Sequence, residues 1–307
     1  MKYLAICTLL LCSAVFAQNP PQQPDNEPAF VKQAHQLMHD GKLNDALTVF
    51  QDELKTHPDS HDALIGAGIV LDLELKGAEA RPYFQKAIDS AKDDEERAGS
   101  NRAMAMSWAF EDNCQMSGQY EQKVLDYAKA KGDFFRAGEI ADEAGRVCLD
   151  GSDVERGMIW YQEGHDLGLK EPNISEARKD LWNFRWEHAQ ARAAARIKED
   201  DDPKTNIAKA KAILAKGTNP QQAQFLPALE GYVAYYSKDY KTALADYQQS
   251  NQNDAFVQCM MAQTYEALGD KQHALEFYRK AAATTGHNPA SAYALRVSKK
   301  KLATMGG

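Results

Sequence analysis

Apolar and small residues recur at spacings of three and four along most of the chain. In residues 267–281, Gly269 and Asp270 supply turn chemistry, and Ala274, Tyr278 and Ala281 follow on one helical face. That face is small, aromatic, small. A small residue admits a neighbouring helix, and the aromatic ring fills the space beside it. The preceding stretch, 256–268, carries Met261, Ala262 and Tyr265 at similar spacing. Two short helices joined by a turn, each with one apolar stripe, cannot bury those stripes alone. They need copies of themselves on either side.

The copies are present. Ala46, Phe50 and Glu53 follow Gly41-Lys42-Leu43, and Ala80, Phe84 and Ala87 follow Gly77. Ala34 and Gly68, Ala46 and Ala80, and Phe50 and Phe84 are each 34 residues apart. Lys123, Tyr127 and Ala130 follow Gly118-Gln119-Tyr120; Gly157, Tyr161 and Gly164 follow Gly151-Ser152-Asp153; Ala243, Tyr247 and Ser250 follow Lys238-Asp239-Tyr240. This pattern, with Pro58 closing a unit, resembles the tetratricopeptide repeat (TPR) family, a helix–turn–helix with a period of 34. The resemblance covers roughly residues 29–286 and is weaker over 174–216. It implies an all-α, right-handed superhelical solenoid of antiparallel helix pairs. In similar proteins the first helix of each pair lines an inner groove that holds an extended peptide or a helix of a partner.

The start of the chain follows another pattern. Met1-Lys2-Tyr3 is a short positive start, residues 4–16 form an apolar run, and Val15-Phe16-Ala17 ends it with small residues at its first and third places. This reads as a secretory signal peptide over residues 1–17, too short to span a bilayer. Leu9-Leu10-Leu11 before Cys12 departs from a lipoprotein signal, so cleavage is expected after Ala17. Residues 18–28, with four prolines and no large apolar side chain, read as a linker. The repeat solenoid then occupies 29–307: N-terminal repeats over 29–170, an irregular repeat over 174–216, and C-terminal repeats with a capping helix over 219–307. Lys299-Lys300-Lys301 resembles the polar cap of a solenoid's open end. Export to the periplasm of a bacterium, or secretion, is the expected localisation.

Charge narrows the choice of partner. Loss of Lys2 with the leader leaves 35 Lys and Arg against 44 Asp and Glu, a net charge of −9. That balance argues against nucleic acid and against an anionic membrane surface, and no other apolar run approaches a transmembrane helix. Catalytic signatures are missing: there is no HExxH, GxSxG, GxxxxGK[ST] or GxGxxG. His35 and His39 share a face but lack an evident third metal ligand, and Asp200-Asp201-Asp202 has no ligand framework for calcium. No cofactor or metal is expected, and the chain reads as a non-enzyme. Cys114 and Cys148, 34 residues apart, would occupy equivalent places on neighbouring first helices. Such places lie about 9–10 Å apart, whereas a disulfide wants Cα atoms within about 7 Å. Spacing therefore argues against a bridge, and the irregular repeat between them leaves it open.

The leading function is an exported, non-catalytic protein–protein interaction scaffold of the cell envelope. The alternatives are an accessory protein holding a glycan or small molecule, and a cell-envelope hydrolase of unknown type. TPR domains that clamp a terminal carboxylate use Lys and Asn one turn apart. The corresponding pairs here, such as Ile65 with Ile69 and Asp142 with Arg146, never match, so chaperone tails are not expected ligands. The expected partner-binding groove lies in the C-terminal half. Phe225, Tyr232, Tyr235 and Tyr236 lie on one first helix, and Phe256 begins the next. Tyrosine offers large contact area at low conformational cost and dominates binding hot spots.

Overall fold

The computed structural model describes residues 27–197 and 202–306. The expected signal peptide, residues 18–26 of the linker, Cys7, Cys12, Asp200 and Asp201 lie outside the described residues. Among the described residues the fold is all helix, with no strand.

Seven antiparallel pairs follow in order: α1 (Ala29–His39) with α2 (Leu43–Thr56), α3 (His61–Leu73) with α4 (Gly77–Asp89), α5 (Asp94–Phe110) with α6 (Cys114–Ala130), α7 (Phe134–Asp150) with α8 (Val154–Gly168), α9 (Glu176–Ile197) with α10 (Pro203–Leu214), α11 (Leu226–Tyr236) with α12 (Tyr240–Gln248), and α13 (Ala255–Ala267) with α14 (Lys271–Ala282). A short 3-10 turn, Pro220–Phe225, precedes α11, and α15 (Pro289–Met305) ends the array. The fold is a TPR-type solenoid.

From α5 onward most helix starts are set by side-chain caps. Asp93, Asn113, Asp133, Asp153, Asp239, Asp254, Asp270 and Asn288 each accept a hydrogen bond from a backbone N–H of the first turn. Each such cap is worth about 1 kcal/mol, because it satisfies an N–H that the helix cannot. Five of the turns inside pairs use one left-handed residue, supplied by Gly41 and Gly269 but also by Leu75, Asp112 and Lys238.

The small–aromatic stripes pack as the sequence pattern predicts. Ala46, Phe50, Ala80, Phe84, Ala274, Tyr278 and Ala281 are all fully buried. The Phe50 ring sits against Gly66, and the Phe84 ring against Gly68, where no Cβ would fit. Aromatic burial of this kind contributes about 1.5–3 kcal/mol per ring.

The repeat length changes along the chain, and this overturns the expectation for the cysteines. α5 and α7 begin at residues 94 and 134, a step of 40 rather than 34. Cys114 therefore opens α6, a second helix, whereas Cys148 lies near the end of α7, a first helix. Their Cα atoms are 4.9 Å apart and the two are joined in a disulfide. Equal spacing in sequence did not mean equivalent place in the repeat.

α15 covers the last pair, packing on α13 and α14, but it also turns back into the array. It packs against α5 and α7, and Lys299 Nζ donates to the Leu73 carbonyl at the end of α3, 2.8 Å away. The lysine run is thus no solvent-facing cap throughout: Lys299 is half-buried and Lys301 pairs with Glu266 at 2.7 Å, leaving Lys300 exposed. The array curls far enough that its last helix reaches its second, third and fourth pairs.

Candidate partner-binding face

First helices α3, α5, α7 and α13 converge on α15, which marks the inner face. α15 lies along the C-terminal ends of α3, α5 and α7 and along the length of α13. Ala292 and Leu295 join one apolar cluster with Ala105, Met106, Ala109 and Phe110 of α5, Leu73 of α3 and Val147 of α7. The segment before α15 is pinned more deeply. His287 stacks on Phe110, with ring centroids 5.4 Å apart, and lies 5.7 Å from Phe84. Its Nε2 meets Asp72 Oδ2 at 2.9 Å, and the other Asp72 oxygen accepts from Ser107 Oγ at 2.8 Å. Asp72 is fully buried, so these two bonds are what make its charge tolerable there.

The first and middle turns of α5 and α7 present a polar lane that reaches α9. Gly99 of α5 is exposed, with open space where a Cβ would stand. Arg102, whose side chain is 48% exposed, forms a two-pronged pair with Glu143 of α7, both contacts 2.9 Å. Glu143 with its neighbours holds the Arg102 guanidinium above its ordinary pKa. One turn away, Glu139 pairs with Arg185 of α9 at 3.2 Å. Burial pushes the Asp142 carboxyl up to about 7, against the pull of Arg185, and pushes His188 down to about 4, aided by Arg146. Beneath this lane Glu121 of α6 is fully buried, and neither carboxylate oxygen finds a hydrogen bond among the described residues. Burial, then Glu143, raises its pKa far above the usual carboxylate range.

The aromatic residues expected to form a groove are mostly brought together. Tyr232 and Tyr236 rings lie 4.7 Å apart, Tyr235 is 5.3 Å from Tyr236, and Phe256 stacks 6.2 Å from Tyr232. Phe225 ends the 3-10 turn and is half-buried. The openness expected of this set is corrected at two positions: Tyr232 is 2% exposed and Phe256 is 8% exposed. The Arg192 guanidinium covers both rings, at 4.8 and 5.4 Å, and is itself buried in an ion pair with Asp150. Tyr293 of α15 closes over Phe256 at 5.2 Å. Tyr235 turns toward Tyr240 of its own pair, 5.6 Å away, and burial pushes its hydroxyl up to about 12. Phe225, Tyr235 and Tyr236 keep partial contact with solvent.

Sequence reasoning missed the inward-facing charges and the place of α15. Two signals were available. Asp72 interrupts the apolar run Ile69-Val70-Leu71-Asp72-Leu73, and no Asp or Glu follows Glu276 in an otherwise acidic chain. Among the described residues no group of three or more His, Cys, Asp or Glu could hold a metal, and no helix is long and apolar enough to cross a membrane.

No protein-family model matches the chain, and no curated protein matches it. Among solved structures, a tetratricopeptide repeat protein from Parabacteroides merdae is similar at 12% identity, with 88% of this chain and 97% of that chain covered and a TM-score of 0.49. The APC/C hetero-tetramer Cut9-Hcn1 is similar at 16% identity, with 90% of this chain and 50% of that chain covered and a TM-score of 0.33.

Proposed function

We propose that this protein is an exported, non-catalytic interaction scaffold of the cell envelope that holds a helix or extended segment of a partner protein against its inner face. The observation that carries this reading is the inner face itself. Its first helices already accommodate a helix along one half and leave a charged, half-exposed lane along the other. Half-exposed Phe225, Tyr235 and Tyr236, farther along the array, supply aromatic contacts. Export is supported by two independent features, the leader pattern of residues 1–17 and the Cys114–Cys148 bond, since such bonds persist in oxidising compartments. The scattered histidines favour a scaffold over a hydrolase. The test is to isolate the processed chain from envelope extract, read its N-terminus and identify what co-purifies. The reading requires an N-terminus at Gln18 and a stoichiometric protein partner. An uncleaved cytosolic chain, or turnover of a cell-wall polymer by the pure protein, would contradict it.

A further inference from the structure

α15 is built unlike the helices around it. It carries Arg296, Lys299, Lys300 and Lys301 and no acidic residue. The lane beneath it is acidic. Arg296 pairs with Asp112 at 3.2 Å, Lys301 with Glu266 at 2.7 Å, and His287 with Asp72 at 2.9 Å. Asp150 faces the same small crevice as Arg296.

The buried side of α15 is Pro289, Ser291, Ala292, Ala294, Leu295 and Ser298. Leu295 is its one fully buried large aliphatic side chain, and Tyr293, Val297, Leu302 and Met305 pack partly buried. The largest fully buried side chains of the fold, Trp182 and Tyr247 among them, all belong to the seven pairs and none to α15. Burial of apolar surface is what fixes a helix in a core. The 17-residue helix is thus held by charge and shape together with partly buried apolar side chains. The Arg296 and Lys301 pairs are partly exposed, and ion pairs of that kind exchange readily with competing ones, whereas the His287–Asp72 pair is buried.

We propose that the lane under α15 is a binding site for a basic amphipathic helix of a partner protein, and that α15 is its resident in the free chain. The inference rests on the scaffold reading above and names the chemistry of its partner. That partner helix carries Ala or Ser at spacings of three and four around one Leu, with Arg or Lys on the flanks and no Asp or Glu. It takes the place of α15, and Asp112 and Glu266 read its charges.

The test uses the full chain and a fluorescent peptide of residues 287–305. In one variant Arg296→Glu and Lys301→Glu together loosen α15. The peptide should bind this variant at least about tenfold more tightly than it binds the unaltered chain, where the resident helix competes; tenfold corresponds to about 1.4 kcal/mol. A control peptide with Arg296, Lys299, Lys300 and Lys301 all replaced by Glu should bind neither. Equal binding to the two chains, equal binding of the two peptides, or no binding to a folded variant would overturn the proposal. So would dimerisation of the variant, which would give the lane to the α15 of a second copy.

If the variant fails to fold, hydrogen exchange on the unaltered chain decides. The amides of α15 should exchange by local opening, well before those of α13 and α14. Exchange of α15 only with global unfolding would overturn the proposal. That result would leave the scaffold reading intact, since a partner could still occupy the lane at Arg102 and Glu139. Peptide exchange with no natural partner at the inner face would instead contradict the scaffold reading.

Discussion

Tyr232 illustrates what a single residue's spacing tells and what it hides. Its position one turn before Tyr236 is legible in sequence, and the two rings do meet. Which way they point is not. α11 carries Leu226, Ala228, Leu229, Tyr232, Val233, Tyr235 and Tyr236, so almost every side is apolar and periodicity cannot separate the inner face from the face between repeats. The structure puts Tyr232 in the core. Tyr232→Ala is therefore expected to cost roughly 3–5 kcal/mol in urea denaturation, as large aromatic truncations do, and Tyr236→Ala distinctly less. Comparable small losses at both positions would return Tyr232 to an open groove. Glu121 makes a second prediction at this scale. Burial lifts its folded pKa well above the ordinary 4.5. Above that point the unfolded chain releases a proton that the folded chain keeps, so stability falls as pH rises. Glu121→Gln removes this titration. The variant should gain on the wild type from about pH 5 upward and converge with it at about pH 4 and below. Parallel stability–pH curves would show that Glu121 ionises freely in the folded chain.

At the level of elements, the helix pairs were legible because turns and stripes agree along most of the chain. Repeats three and four were seen, but their departure from the 34-residue step escaped, because their helices are longer, 17 residues in α5, α6 and α7. The 34-residue step, true of the first two pairs, misassigned Cys114 to a first helix. The disulfide ties the turn after α5 to the end of α7, the two places where Asp112 and Val147 meet α15. A closed loop of this length stabilises by about 3–4 kcal/mol on a chain-entropy estimate. Reduction, or Cys114→Ser with Cys148→Ser, should lower the unfolding free energy by about 2–4 kcal/mol. An unchanged urea midpoint under reductant would mean that the bond is not formed in the native protein. α7 and α8 show a different device. Gly145 and Gly157 lie so close that a Cβ on either would stand 3.0–3.1 Å from the carbonyl of the other. Gly145→Ala should push the helices apart at a cost of about 1–3 kcal/mol, measured as a lowered melting midpoint; full retention of stability would show that the pair has slack.

For the whole molecule, the solenoid class follows from repeated pairs, but its curvature does not. Each pair contacts its neighbours through local spacing, so the stack is written in the sequence. Whether the array closes far enough for α15 to touch α3 depends on small rotations summed over seven pairs. Long-range chemistry was the readable trace of closure: a basic, acid-free end on an acidic chain. The same closure divides the inner face into a lane filled by α15 and a polar lane at Arg102, Glu139, Glu143 and Arg185. The central claim, that this inner face receives a protein partner, is tested most directly by photo-cross-linking in cell envelopes. A cross-linking side chain would be placed singly at residue 102 or 139 in the lane, and at residue 159, where Ile159 is 68% exposed on α8, a second helix. The account predicts one defined protein adduct from 102 and 139 and none from 159. Adducts from 159 alone would contradict it.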